Sequence, residues 1–325
     1  MIISRTPVRI SFFGGGTDLR DFYSTSYGAV LSTAIKKYIY VAVNRRFDEK
    51  IRVSYSETET VDSADQVKHS LIKECLKTAG IDKQIEIVTI ADVPGHGTGL
   101  GSSSSLAVGT IIALKEYTNK PTNFEEAAKE ACKIEIGTLK KPIGKQDQYI
   151  AALGGFRYIR FNADETVSTS TINLGKNTLE ELETNLVSFY IPGIREGDVI
   201  LADQRKNIPE KMKILEEMRN QAETGKEAIK NGDLSSFGKL LDKAWQLKST
   251  LSNKISNPTI SKFYRMGMDA GALGGKLSGA GGSGFLTFYC DKEHQKGLRE
   301  ALRELKEMKI KLEPGGSSIV YKESD

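Results

Sequence analysis

Histidine, cysteine, proline and tryptophan are all scarce in this chain, and the scarcity narrows what it is. Three histidines and three widely separated cysteines (Cys75, Cys132, Cys290), none in a C-x-x-C pair, provide neither a transition-metal ligand set nor a disulfide framework. The three thiols read as reduced, buried small hydrophobes. Only 8 prolines occur among 325 residues, with no internal repeat and no low-complexity tract, as in an ordinary globular chain. No apolar run approaches the roughly 18 residues that a membrane span requires. The N-terminal MIISRTPVRISFF lacks the charged region, apolar stretch and small-residue cleavage site of an export signal. The expectation is a cytoplasmic protein with no membrane partner. A net charge of +4, with Lys and Arg interleaved among Asp and Glu, gives no basic face for nucleic acid and suits an anionic small molecule better.

Glycine is plentiful, at 31 residues, and it is clustered. The run PGHGTGLGSSSS, residues 94–105, follows a strand-like segment rich in β-branched residues (85–93). It opens a helix-like segment bearing Leu106, Ala107, Ile111, Ala113 and Leu114. Gly95, Gly97, Gly99 and Gly101 permit positive φ and let backbone N–H groups approach a ligand. The serines fall on the first helical turn, where donors are unpaired and the helix end is partly positive. Such a loop holds an anion, phosphate above all. A helix cap would need one serine rather than four, and a flexible linker seldom begins at a strand end. The commoner phosphate loop G-x-x-x-x-G-K-[ST] is absent, and the G-x-G-x-x-G at Gly279, Gly281 and Gly284 lies between a helix and a following strand. That order is the reverse of a dinucleotide fingerprint.

Two other glycine runs accompany it. In PVRISFFGGGTDL, residues 7–19, a strand carrying Arg9 reaches Gly14, Gly15 and Gly16, then Thr17 and Asp18. A carboxylate in that setting accepts bonds from adjacent hydroxyls while the glycines let a sugar lie against backbone; the alternative is a turn in which Asp18 caps the next helix. In KLSGAGGSG, residues 276–284, the glycine density between a helix and a strand points to backbone approaching a ligand. The loop IGKQDQYIAALGG places Asp147 at a helix start, either as a cap or as a carboxylate that takes a proton from a hydroxyl nucleophile. Lys145 is close enough to serve an anionic substrate, whereas Lys140 and Lys141 read as solvated. Strand-like and helix-like segments alternate in the first half. In the second half Leu234, Phe237, Leu240, Leu241, Ala244, Leu247 and Leu251 recur at helical spacing and, with Trp245, mark core. The pattern is α+β with a boundary expected between residues 165 and 185.

Taken in order, the three glycine runs resemble the three motifs of the GHMP kinases, the family named for galactokinase, homoserine kinase, mevalonate kinase and phosphomevalonate kinase. The resemblance spans nearly the whole chain. It implies a two-domain GHMP-kinase-like α+β fold: a mixed α/β N-terminal domain over 1–175 with the ATP loop and the base, and a ferredoxin-like α+β C-terminal domain over 176–325. It implies transfer of the γ-phosphoryl group of ATP, with Mg²⁺, to a small-molecule hydroxyl or phosphate. By resemblance, Pro94, Gly95, Gly97, Thr98, Gly99, Leu100, Gly101, Ser102, Ser103 and Ser104 cradle the nucleotide. Asp147 matches the base, and Arg9 the cation that stabilises the deprotonated nucleophile. Ser103 and Glu135 match the magnesium ligands, while Gly15, Gly16, Thr17, Asp18, Gly279 and Gly281 face the acceptor.

Galactokinases carry a bulky acidic-histidine pair where this chain has Gly15 and Gly16, which disfavours galactose. The GGGTD form is most similar to the branch that phosphorylates the anomeric hydroxyl of D-glycero-D-manno-heptose 7-phosphate, and next to the fucokinase branch. A phosphorylated acceptor needs a cationic holder, for which Arg195 in IPGIREGD is the first candidate, with Lys145 and Arg20 behind it. Two competing expectations differ in kind: an isoprenoid or amino-alcohol kinase with an apolar acceptor pocket, and a catalytically silent sugar sensor. Intact Arg9, Ser103 and Asp147 argue against the sensor. His96 has no assigned part, and the oligomeric state is not fixed by sequence, a homodimer being compatible with it.

Overall fold

The computed structural model describes residues 1–95, 97–121, 123–193 and 197–323. Among these, the strands form two sheets, of eight and four strands. The larger sheet is organised by Tyr27–Arg45, whose 19 residues serve three neighbours. One edge pairs antiparallel with Ile2–Phe13. The other edge is shared, residues 27–33 pairing with Phe156–Asn162 and residues 39–45 with Ile85–Ala91. Alternate side chains Ile39, Val41 and Val43 are buried, the two-residue period of a strand with one face on the core. Ile51–Ser54 runs parallel to Ile85–Ala91, and the other described pairings in the sheet are antiparallel. The last described strand, Ser318–Lys322, returns to pair with the start of Ile2–Phe13. The smaller sheet is antiparallel in the order Lys306–Lys309, Leu186–Ile191, Gly284–Tyr289, Gly274–Leu277.

Two packing features position the site. Helix Ser102–Tyr117 is buried along most of its length and lies against Ile2–Phe13. Gly109 permits the approach, since an added Cβ would stand 2.7 Å from Thr6 Oγ1, and Ser4 Oγ donates to the Gly109 carbonyl at 2.8 Å. The helix start is thereby held beside the strand that carries Arg9. Second, Phe12 and Phe13 each meet Phe237 of helix Leu234–Ser249 edge-on, with centroids 5.1 Å apart. Each such contact adds about 0.5–1.5 kcal/mol beyond simple burial, and together they join the two sheets' layers next to the first glycine run.

Helix Phe124–Cys132 is short and gives way to an irregular turn. Asn123 caps it, its side chain accepting from Glu126 N at 2.8 Å, and Phe124–Cys132 is regular. Lys133–Thr138 then widens into a π-helical turn, with Leu139 N bonded to Ile134 O at 2.9 Å. Widened turns of this kind recur at functional sites because they re-aim one side chain. Here the residue on that turn is Glu135, which is fully buried. No described helix is long and apolar enough to cross a membrane.

Candidate active site

The three glycine runs converge on one cavity of about 570 Å³. Gly99 and Gly101 are required by geometry as well as by proximity. Both have positive φ, +74° and +78°; a Cβ at Gly99 would lie 2.2 Å from Ser278 O, and one at Gly101 would lie 3.1 Å from Asp147 Oδ2. The loop is clamped from two sides, Arg9 N donating to Leu100 O at 2.9 Å and Phe285 N to Thr98 O at 3.2 Å. Helix Ser102–Tyr117 starts at Gly101 with no side-chain cap. Its first-turn N–H groups are therefore left for an anion.

On the floor of the cavity Arg9 and Asp147 form a two-pronged pair. Arg9 Nε donates to Asp147 Oδ1 and Arg9 Nη2 to Oδ2, each at 2.7 Å, and Nη1 donates to Gly99 O at 2.5 Å. The guanidinium is thus fixed against the phosphate loop and the carboxylate at once. A carboxylate offers about four lone-pair sites, so the pairing leaves Asp147 able to accept a further hydrogen bond. Its side chain is 22% exposed, against 6% for Arg9, so its open side is toward the cavity.

Asp147 stands in the first turn of Gln146–Leu153, yet its oxygens go to Arg9 and that helix end is served by Asp18. Asp18 Oδ2 accepts from Gln146 N at 3.3 Å, and Oδ1 accepts from Gly16 N at 2.9 Å. The next helix in sequence, Arg20–Tyr23, takes no side-chain cap. Asp18 therefore ties the first glycine run to the helix that carries Asp147, and it faces the cavity as well. Gly144 makes room for it, since a Cβ there would sit 2.0 Å from Asp18 Oδ2. Burial pushes the Asp18 carboxyl pKa up, and the neighbouring charge of Asp147 adds to the rise while the Gly16 N–H opposes it.

Glu135 gathers four donors. Ser103 Oγ reaches Oε1 at 2.8 Å and Lys141 Nζ reaches it at 3.0 Å, while Ser104 Oγ and Gln148 Nε2 each meet Oε2 at 2.7 Å. Lys141 Nζ also donates to Ser103 Oγ at 2.7 Å. A cationic nitrogen thus bridges the serine and the carboxylate at the edge of the phosphate loop.

The structure places Arg9, Gly15, Gly16, Asp18, Gly279 and Asp147 on this cavity together with Glu135 and residues of the second glycine run. Several expected site residues stand elsewhere. Pro94 is exposed beyond the cavity rim, and Leu100 is buried in the core. Thr17 is buried and donates to the carbonyls of Gly14 and Ala29. Gly281 packs on Ile255, where a Cβ would lie 2.6 Å from its backbone. Lys145 is turned away into an ion pair with Glu165 and against the Tyr23 ring, and Arg20 pairs with the same carboxylate at 2.7 Å. Arg195 lies outside the described residues. Ser104 lines the cavity, but its hydroxyl points inward to Glu135.

Sequence reasoning also missed participants. Lys141 is a site residue and not a solvated one. Lys248 is 6% exposed and reaches the carbonyl of Gly279 from helix Leu234–Ser249. The signal was present, because Lys248 follows Leu241 and Ala244 on the same buried stripe. Lys276 is buried beneath the site, donating to Ser11 O at 3.0 Å and Phe12 O at 2.7 Å. Burial, with Lys248 and Arg9 nearby, holds its pKa well below the ordinary lysine value.

An anion cradle, a fixed Arg–Asp pair open to the cavity and a serine–carboxylate pair beside the cradle define a small-molecule phosphotransferase. The chain belongs to the GHMP kinases: residues 66–155 match the GHMP kinases N terminal domain and residues 226–309 the GHMP kinases C terminal domain. It is 31% identical over 320 residues, 93% of each chain, to the D-glycero-alpha-D-manno-heptose 7-phosphate kinase of Campylobacter jejuni. It is 26% identical over 339 residues to the L-fucokinase/L-fucose-1-P guanylyltransferase of Bacteroides fragilis, covering 92% of this chain and 35% of that longer protein. Its fold superposes with a TM-score of 0.83 on a D-glycero-D-manno-heptose 1-phosphate kinase from Bacteriodes thetaiotaomicron, at 24% identity over the full length of both chains. The protein is an ATP-dependent sugar kinase of this family.

Proposed function

We propose that the chain transfers the γ-phosphoryl group of ATP to the anomeric hydroxyl of D-glycero-D-manno-heptose 7-phosphate, giving the 1,7-bisphosphate. The observation that carries the substrate is the 31% identity, across 93% of both chains, to a relative of that name. The cavity supports the class of acceptor: the buried carboxylate of Asp18 and the bare backbone at Gly15 and Gly16 face the same space as Asp147.

In this reading the loop over residues 94–105 receives the nucleotide phosphates through its backbone N–H groups. Asp147 accepts the proton of the acceptor hydroxyl as that oxygen forms its bond to phosphorus and the bond from phosphorus to the departing ADP oxygen breaks. Arg9 holds the Asp147 carboxylate in register and offers positive charge where the nucleophile gains negative charge. The donor set beside the loop fits magnesium: Ser103 and Glu135 supply two hard oxygens 2.8 Å apart, and the Lys141 ammonium already marks a cation position between them. Magnesium held there would neutralise phosphate charge.

The fucokinase relative favours a second acceptor, L-fucose, which uses the same anomeric chemistry. The test is release of ADP from ATP with a panel of heptose 7-phosphate, L-fucose, galactose and mevalonate. The highest kcat/KM is expected for the heptose phosphate; a higher value for fucose replaces it with the second reading, and turnover of mevalonate alone overturns both.

A further inference from the structure

The acceptor side of the cavity carries three side-chain atoms that are buried and have no hydrogen-bond partner: Ser11 Oγ, Gln146 Oε1 and Gln204 Nε2. A buried polar group left unpaired costs about 1–3 kcal/mol, and these three share one wall of the cavity. They come from three separate elements. Ser11 lies on Ile2–Phe13, Gln146 opens Gln146–Leu153, and Gln204 lies on Gly197–Lys206, which belongs to the second half of the chain.

The first glycine run is shaped around them. A Cβ at Gly15 would lie 3.4 Å from Ser11 Oγ and 3.6 Å from Gln146 Nε2, and one at Gly16 would lie 2.5 Å from Gln204 Nε2. Gly16 also has φ +107°, a conformation that side chains rarely adopt. These glycines therefore admit the two glutamine amides and the serine hydroxyl to the wall that Asp18 also lines. The chemistry is complementary: Gln204 Nε2 can only donate, Gln146 Oε1 and the Asp18 carboxylate accept, and Ser11 Oγ does either.

We propose that Gln204 is a specificity-determining residue of the acceptor site, donating to an acceptor hydroxyl as one member of a ring with Ser11, Gln146 and Asp18. The ring selects a compound with several adjacent hydroxyls, since a single-hydroxyl acceptor would leave most of it unpaired. The inference rests on the sugar-kinase reading, and it makes helix Gly197–Lys206 the part of the second half that reads the sugar.

The test compares wild type with Gln204→Leu and Gln204→Glu, using heptose 7-phosphate and L-fucose as acceptors. Both variants are expected to raise the acceptor KM by roughly tenfold or more, the scale of one lost hydrogen bond to a buried group. The KM for ATP should stay within twofold. Acceptor binding without nucleotide, measured by calorimetry, should weaken by the same factor. An acceptor KM within twofold of wild type in Gln204→Leu overturns the proposal, as does an equal loss for ATP and sugar, which would mark a purely structural residue. If wild type turns over fucose and not heptose phosphate, the substrate reading fails, and the same ratios measured with fucose still decide the role of Gln204.

Discussion

Replacing Asp147 by Asn separates the chemistry of the site from its architecture. Asparagine has the same outline, but one of the two oxygens that meet Arg9 at 2.7 Å becomes an amide nitrogen, so one prong of the pair turns from donor–acceptor to donor–donor. The other prong survives, as does the bond from Arg9 Nη1 to Gly99 O. Arg9 is almost fully buried while Asp147 is partly open to water, so the folding cost should fall well below that of breaking a fully buried pair, at about 1–2 kcal/mol. The effect on turnover should be larger. A lost general base lowers the rate by roughly 10² or more, which at about 1.36 kcal/mol per decade is about 2.7 kcal/mol of barrier. Steady-state kinetics should therefore show kcat down at least a hundredfold with the KM for ATP little changed, and calorimetry should show nucleotide still bound. A folded Asp147→Asn protein with kcat within about threefold of wild type would refute the assignment of Asp147 as the proton acceptor.

Other outcomes follow from the same geometry. Glu135→Gln removes the charge from a carboxylate that gathers Ser103, Ser104, Lys141 and Gln148; the Mg²⁺ concentration for half-maximal activity should rise about tenfold or more, and an unchanged Mg²⁺ dependence would remove Glu135 from the metal site. Lys276 has a folded pKa depressed below its unfolded value, so its contribution to stability is present above the unfolded pKa near 10.5 and is lost as pH falls toward the folded value. The melting temperature of Lys276→Met relative to wild type should accordingly rise as pH is lowered from 10 to 7, a range chosen for the assay on the order of that window; a difference flat in pH contradicts the buried placement. Gly99→Ala demands a positive φ of a residue with a side chain and drives its Cβ to 2.2 Å from Ser278 O, so ATP affinity should fall and thermal stability drop by several degrees. Retention of both would show that the loop relaxes freely.

What the sequence disclosed and what it hid divide along a physical line. Arg9, Asp18, Ser103 and Asp147 sit in short runs whose local chemistry points to their surroundings: glycine before a helix, a carboxylate at a helix start, serines on a first turn. The role of Asp18 was legible only in part, because the helix it serves begins at Gln146, far along the chain. Lys141 was assigned to solvent because nothing in KKPIGKQD reveals the widened turn at Lys133–Thr138 that sets the chain leading to it beside Glu135. Lys248 and Gln204 reach the cavity from helices of the second half, whose apolar spacing advertises core and conceals the polar residues that the core carries to the site. The first half of the long strand Tyr27–Arg45 is fixed by pairing with Ile2–Phe13 and Phe156–Asn162 rather than by local composition.

The proposed reaction turns on which oxygen receives the phosphate. Incubating the protein with ATP and heptose 7-phosphate and recording phosphorus NMR of the purified product tests it directly. The expected spectrum shows a second sugar phosphorus coupled to the anomeric proton, with the 7-phosphate retained. A new phosphate on any other carbon, or phosphoryl transfer onto the existing phosphate, would contradict it.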